Sequence, residues 1–109
     1  MKTKLVIIAG ILAAAVTAAH AADAKANWEE HCAKCHGAAG KGDTKIGKKL
    51  NAKDYSDAAV QAKFTDEQLL EATMKGVTVD GKEKMKGYAD KISEAEGKEL
   101  VALIRSFKS

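Results

Sequence analysis

The sequence predicts an all-α fold. Two capping-box patterns, Thr65-Asp-Glu-Gln68 and Ser93-Glu-Ala-Glu96, each stand just ahead of a helix-forming stretch. Leu100, Leu103, Ile104 and Phe107 recur at helical spacing. No stretch alternates apolar and polar residues long enough to argue for a sheet, and no internal repeat is present.

The chain begins with a segment outside that fold. Lys2 and Lys4 form a positive start, Leu5 to Val16 is an almost unbroken apolar run, and Ala19, His20 and Ala21 place small residues around a cleavage point. This is the pattern of a secretory signal peptide. The run falls short of the roughly 20 residues a spanning helix needs. The expected division is a signal peptide over 1–21 and one domain over 22–109, exported from the cytoplasm, with no stable membrane insertion once the leader is removed.

The whole chain has 109 residues and a formal charge of +3. Without the two leader lysines the charge falls to about +1, far from the basic balance of a nucleic-acid binder. A domain this small buries a modest core and needs a staple such as a disulfide, a metal or a cofactor.

The elements follow in order. Residues 24–36 read as a helix, with Asn27 or Asp23 as its cap, Glu29 and Glu30 in its early turns and Gly37 as its stop. Trp28 precedes Cys32 by four and shares its face. Residues 37–50 hold four glycines and read as loop, with backbone able to approach a bound group closely. Asp57 caps a short helix reaching Lys63. The first capping box opens a helix to Lys75, stopped by Gly76. Residues 77–91, rich in Gly and Lys, read as a second loop. The last helix runs from Glu94 to Phe107, and Gly97 within it costs about 1 kcal/mol relative to Ala unless it allows a close contact.

The two cysteines are Cys32 and Cys35, and His36 follows directly. In an exported chain two cysteines usually form one disulfide, but this spacing would close a very small loop. A thioredoxin-like pair needs a preceding strand, and none is visible. A zinc site would need four ligands from within His31 to His36, which can hardly surround one tetrahedral ion. Cys-x-x-Cys-His is the attachment sequence of c-type haem. Residues three apart on a helix share a face, so both thiols can add to the vinyl groups of one ring, and the adjacent imidazole can hold the iron. The expected cofactor is one covalently attached haem c.

The iron then needs a second axial ligand or an open position. His31 is tethered beside Cys32 and reads as a surface residue. Sulfur is the natural candidate, from Met74 or Met85. Met74 lies within a helix, where packing is the ordinary role. Met85 lies in the second loop, where it could be swung over the ring.

At this point the chain resembles the class I monohaem cytochromes c, small periplasmic electron carriers. The resemblance covers residues 24–107. It rests on Cys32 to Gly37, the Gly40-Lys-Gly42-Asp43 segment, Asn51 to Tyr55, the Met85-Lys-Gly-Tyr88 loop and the closing Leu100 to Ile104 helix. It implies a cytochrome c-like fold of three main helices and loops wrapped around the haem. It implies thioethers at Cys32 and Cys35, His36 as proximal ligand, Met85 as distal ligand, and Trp28 packed on the last helix against Leu100 and Leu103. The family usually orients the proximal histidine with the carbonyl of a proline. This chain has no proline, so a carbonyl near Ile46 or Gly47 is the expected substitute.

The implied function is one-electron transfer rather than enzyme catalysis, with redox proteins as partners and the chain a monomer. Lys34, Lys41, Lys48, Lys49, Lys84 and Lys86 would steer an acidic partner. The alternatives are a haem protein that binds gases or small ligands, and a haem subunit docked to a larger redox enzyme.

Overall fold

The structure, a computed structural model, describes residues 23–109. The proposed signal peptide and its cleavage point lie outside the described residues. Helix α1 covers residues 23–36. Its middle, Trp28–Cys32, is a π turn in which the Ala33 N–H reaches back to the Trp28 carbonyl. The turn buries both Trp28 and Cys32, and Ala33–His36 continues as α-helix. Gly37 ends it, its N–H bonded to the Ala33 carbonyl at 2.8 Å. Asn27 lies within α1 rather than capping it. Its amide donates to Glu96 Oε2 at 3.3 Å, tying α1 to the start of the last helix.

Within the segment read as the first loop lies a short helix, α2, Lys45–Leu50. Thr44 caps it, accepting from the Gly47 N–H, and Asn51 closes it in a left-handed conformation at φ 59°. The glycines obscured it. Gly47 is needed for a close approach of backbone to backbone, since a Cβ there would overlap the Cys35 carbonyl oxygen. The approach joins α2 to α1 and is not made to the cavity. Helix α3, Ala58–Gln61, follows with the expected Asp57 cap on the Ala59 N–H at 2.8 Å.

Helix α4, Asp66–Lys75, and helix α5, Glu94–Ser106, are where the sequence predicts them, each with its full capping box. A side chain at Gly97 would press on Met74 Sδ at 2.7 Å and Leu70 Cδ1 at 2.9 Å, so this glycine does permit a close α4–α5 contact. Met74 is thereby a packing residue.

The second loop is not irregular. Strands β1, Gly76–Val79, and β2, Lys82–Lys86, form an antiparallel hairpin. Asp80 and Gly81 both take positive φ, 51° and 79°, the two-residue turn that matches strand twist. Val77 faces Met85 and Val79 faces Lys82, with a bulge between Val77 and Thr78. The fold is therefore mostly helical, with one small hairpin where the sequence reads as loop.

The core gathers Trp28, Cys32, Leu69, Ile92, Leu100, Val101 and Ile104, with Leu100 only 1% exposed. The Trp28 ring packs on Phe107, with centroids 5.0 Å apart, while Leu103 is only partly buried. Trp28 thus meets the last helix as expected, with Phe107 as an added partner.

Candidate haem site

The site is built on α1. The Trp28 indole N–H donates to the Gly37 carbonyl at 2.9 Å, closing the turn that follows His36. The Thr44 hydroxyl donates to the Cys35 carbonyl at 2.7 Å, and the Gly42 N–H to the His36 carbonyl at 2.8 Å. These bonds fix the backbone of the Cys-x-x-Cys-His turn from outside.

A cavity of about 890 Å³ opens beside this turn, near the top of the range for small-molecule and cofactor sites. Cys35 and His36 line it from α1, Val77 and Met85 from the hairpin, and Leu69 and Ala72 from α4. A smaller void of about 20 Å³ shares His36, Tyr55 and Met85 with it and adds Cys32. Residues far apart in sequence, Cys32 to His36 and Met85, are thus brought to one place.

The donor set suits a covalently held haem. Cys32 and Cys35 form no disulfide, so both sulfurs are available to one haem. Burial, and then the neighbouring Cys35, push the Cys32 thiol up to about 12, so it stays protonated at neutral pH. Burial lowers the pKa of His36, so the imidazole is neutral, the form that binds metal. Among the described residues no group of three or more His, Cys, Asp and Glu is arranged to hold a metal ion by itself. The fit is to a ring attached through thiols with axial ligands, and no bare-ion cluster competes for the same residues.

His36 is flanked by two aromatic rings, Trp28 at 5.6 Å and Tyr55 at 5.5 Å. Its Nδ1 is buried with no hydrogen-bond partner. The expected orienting carbonyl near Ile46 or Gly47 is not bonded to it; the Gly47 carbonyl accepts instead from the Ala52 N–H at 2.8 Å. Ring packing constrains the imidazole instead.

His31 departs from the expected surface position. Its side chain is only 16% exposed, and its ring lies 5.4 Å from that of Tyr88. Tyr55 and Tyr88 are the chain's two tyrosines, and both line the cavity. The sequence reading gave neither a role, although their scarcity was a usable signal. Of the lysines expected near the haem, Lys34, Lys84 and Lys86 line the cavity, joined by Lys53 and Lys91, whereas Lys41, Lys48 and Lys49 do not.

A cavity of cofactor size beside a Cys-x-x-Cys-His turn, in a mostly helical domain, defines a c-type cytochrome. The family described as Cytochrome C oxidase, cbb3-type, subunit III matches residues 19–104, and the chain belongs to this cytochrome c family. A solved structure described as KustC0563 c-type cytochrome is 32% identical, with a TM-score of 0.69, covering 79% of this chain and 98% of that one. A tyrosine-to-phenylalanine mutant of the same protein gives 34% identity and a TM-score of 0.67, covering 79% and 99%. None of the curated proteins matches. Membership carries with it covalently bound haem c as cofactor, haem-based electron transfer as the family's work, and redox proteins as partners. Such proteins are generally carriers rather than enzymes and are typically exported. Among the described residues no helix is long and apolar enough to cross a membrane.

Proposed function

We propose that this protein is a periplasmic monohaem electron carrier, freed by removal of residues 1–21, whose domain spans 22–109. Cys32 and Cys35 form the thioethers, and His36 and Met85 are the axial ligands. Helices α1, α4 and α5 are its three main helices and, with the hairpin, wrap the ring. The observation that carries this reading is that His36 and Met85 border the same cavity, and share the adjoining void with Cys32.

When bound, the haem supplies a one-electron Fe(III)/Fe(II) couple. The chain's residues set its poise and access. The Met85 thioether favours the reduced metal more than a second imidazole would. Leu69, Ala72 and Val77 give the cavity an apolar lining, which disfavours the form carrying the extra positive charge. With His36 and Met85 both engaged, no axial position is left for a substrate.

The cavity is bordered by Lys34, Lys53, Lys84, Lys86 and Lys91 against Glu30 and Glu83. Positive charge is therefore concentrated there in a domain of nearly balanced charge, which suits steering of an acidic redox partner. Ile46, 38% exposed, adds an apolar contact at the same place.

Purified exported protein, titrated potentiometrically and then exposed to carbon monoxide when reduced, tests the proposal. A reversible one-electron wave and no carbon monoxide complex are expected. Ready carbon monoxide binding would favour a ligand-binding haem protein, and constant copurification with a larger enzyme would favour a docked subunit.

A further inference from the structure

We infer that Tyr88 is a positioning residue for Met85, a clasp that joins the hairpin segment carrying the sulfur to the helix carrying His36. The inference rests on the reading of Met85 as an iron ligand. Met85 stands near the end of β2, opposite Val77. The chain then passes through Gly87 to Tyr88. Backbone bonds hold this exit to α4, from the Tyr88 N–H to the Thr73 carbonyl at 3.0 Å and from the Ala89 N–H to the Met74 carbonyl at 3.2 Å. Neither bond reaches α1.

The tie to α1 is the Tyr88 side chain. Its hydroxyl donates to the His31 carbonyl at 3.0 Å, across 57 positions of sequence. Among the described residues it is the only hydrogen bond between segment 76–88 and α1. His31 directly precedes Cys32, and Tyr88 follows Met85 by three. The bond therefore joins the two ligand-bearing segments, between residues that both line the cavity. Two further contacts seat the ring: His31 at 5.4 Å, and the Lys86 ammonium 5.3 Å from its centroid. Tyr88 lines the cavity, so the clasp borders the space that a haem would fill. Releasing it leaves β2 held only through its partner strand and its root on α4, and two strands alone are marginally stable.

The test compares haem-loaded wild type with Tyr88→Phe and Tyr88→Leu. Phe keeps the ring and removes only the donor. Imidazole is added to the ferric protein, and the near-infrared sulfur-to-iron band is followed against temperature beside the helical circular dichroism. The expected Tyr88→Phe result is a retained band at room temperature and imidazole binding stronger by about three- to tenfold, the effect of one lost neutral hydrogen bond. The band should disappear at a lower temperature than in wild type while the helical transition moves much less. Tyr88→Leu should show the same effects, enlarged. Imidazole affinity and band loss unchanged in Tyr88→Phe would overturn the clasp. So would a loss of band and helix together by equal shifts, which marks a packing residue only. A wild type with no band, bound by imidazole as readily as the variants, would instead overturn the ligand reading and this inference with it.

Discussion

The Thr44 hydroxyl donates to the Cys35 carbonyl at 2.7 Å while accepting from the Gly47 N–H at 2.8 Å. One side chain thus caps α2 and anchors the turn that precedes His36. Thr44→Val keeps the shape and loses both bonds. Denaturant unfolding of the haem-loaded protein should show a loss of about 2 kcal/mol, from a cap and a partly buried hydrogen bond together. A change below about 0.5 kcal/mol would mean that water replaces both.

Gln61 is buried and fully used. Its amide donates to the Tyr55 and Ile104 carbonyls, both at 2.7 Å, and its oxygen accepts from Arg105 at 2.9 Å. Arg105 also reaches Asp66, the Gln61 carbonyl and the Phe64 carbonyl. Gln61→Leu leaves the Tyr55 carbonyl and one arginine N–H without partners and takes one of two donors from the Ile104 carbonyl. The expected cost is about 2–4 kcal/mol, larger than that of most surface changes. Because Tyr55 packs on His36, the variant should also shift the redox potential, which potentiometry reads directly.

Gly97 and Met74 should be coupled. Gly97→Ala gains about 1 kcal/mol of helix propensity but drives a methyl onto Met74 Sδ and Leu70 Cδ1. Overpacking costs about 1–3 kcal/mol, so the single variant should be destabilised or neutral. In a Met74→Ala background only Leu70 Cδ1, at 2.9 Å, still has to move, so the same change should cost less than in wild type. A double-mutant cycle with no coupling would contradict the contact.

Glu96 gives a pH dependence. The Ser93 N–H, then the Asn27 amide and the Ser93 hydroxyl, hold its carboxyl below the ordinary value of 4.5. A carboxylate with a depressed folded pKa contributes stability above the unfolded value and loses it as pH falls through the folded one. Glu96→Gln keeps a cap that does not titrate. Wild type should therefore exceed Glu96→Gln in stability above pH 4.5, and the gap should close at lower pH. An equal gap at all pH values would remove the charge from the account.

The elements that depend on near neighbours were legible in sequence. The boxes at Thr65 and Ser93, the Asp57 cap and the Gly76 stop each rest on residues within a few positions. The Cys-x-x-Cys-His turn is equally local. The hairpin was hidden because β2 is Lys-Glu-Lys-Met-Lys, poor strand formers with no alternation, and its pairing depends on Val77 to Val79 across the Asp80-Gly81 turn. That dipeptide was the available signal. His31 was misread because Tyr88, which covers it, comes 57 positions later. The unpartnered His36 Nδ1 could not be foreseen either, since it depends on the Gly47 carbonyl turning to the Ala52 N–H.

In the proposed function Met85 and His36 hold one iron between them. The most direct measurement is the near-infrared spectrum of the oxidised protein, recorded for wild type, Met85→Ala and Met74→Ala, each followed by carbon monoxide addition after reduction. The account predicts a weak sulfur-to-iron band in wild type and Met74→Ala and none in Met85→Ala, with only Met85→Ala binding carbon monoxide and showing a lowered potential. A band that survives in Met85→Ala and is lost in Met74→Ala would contradict it.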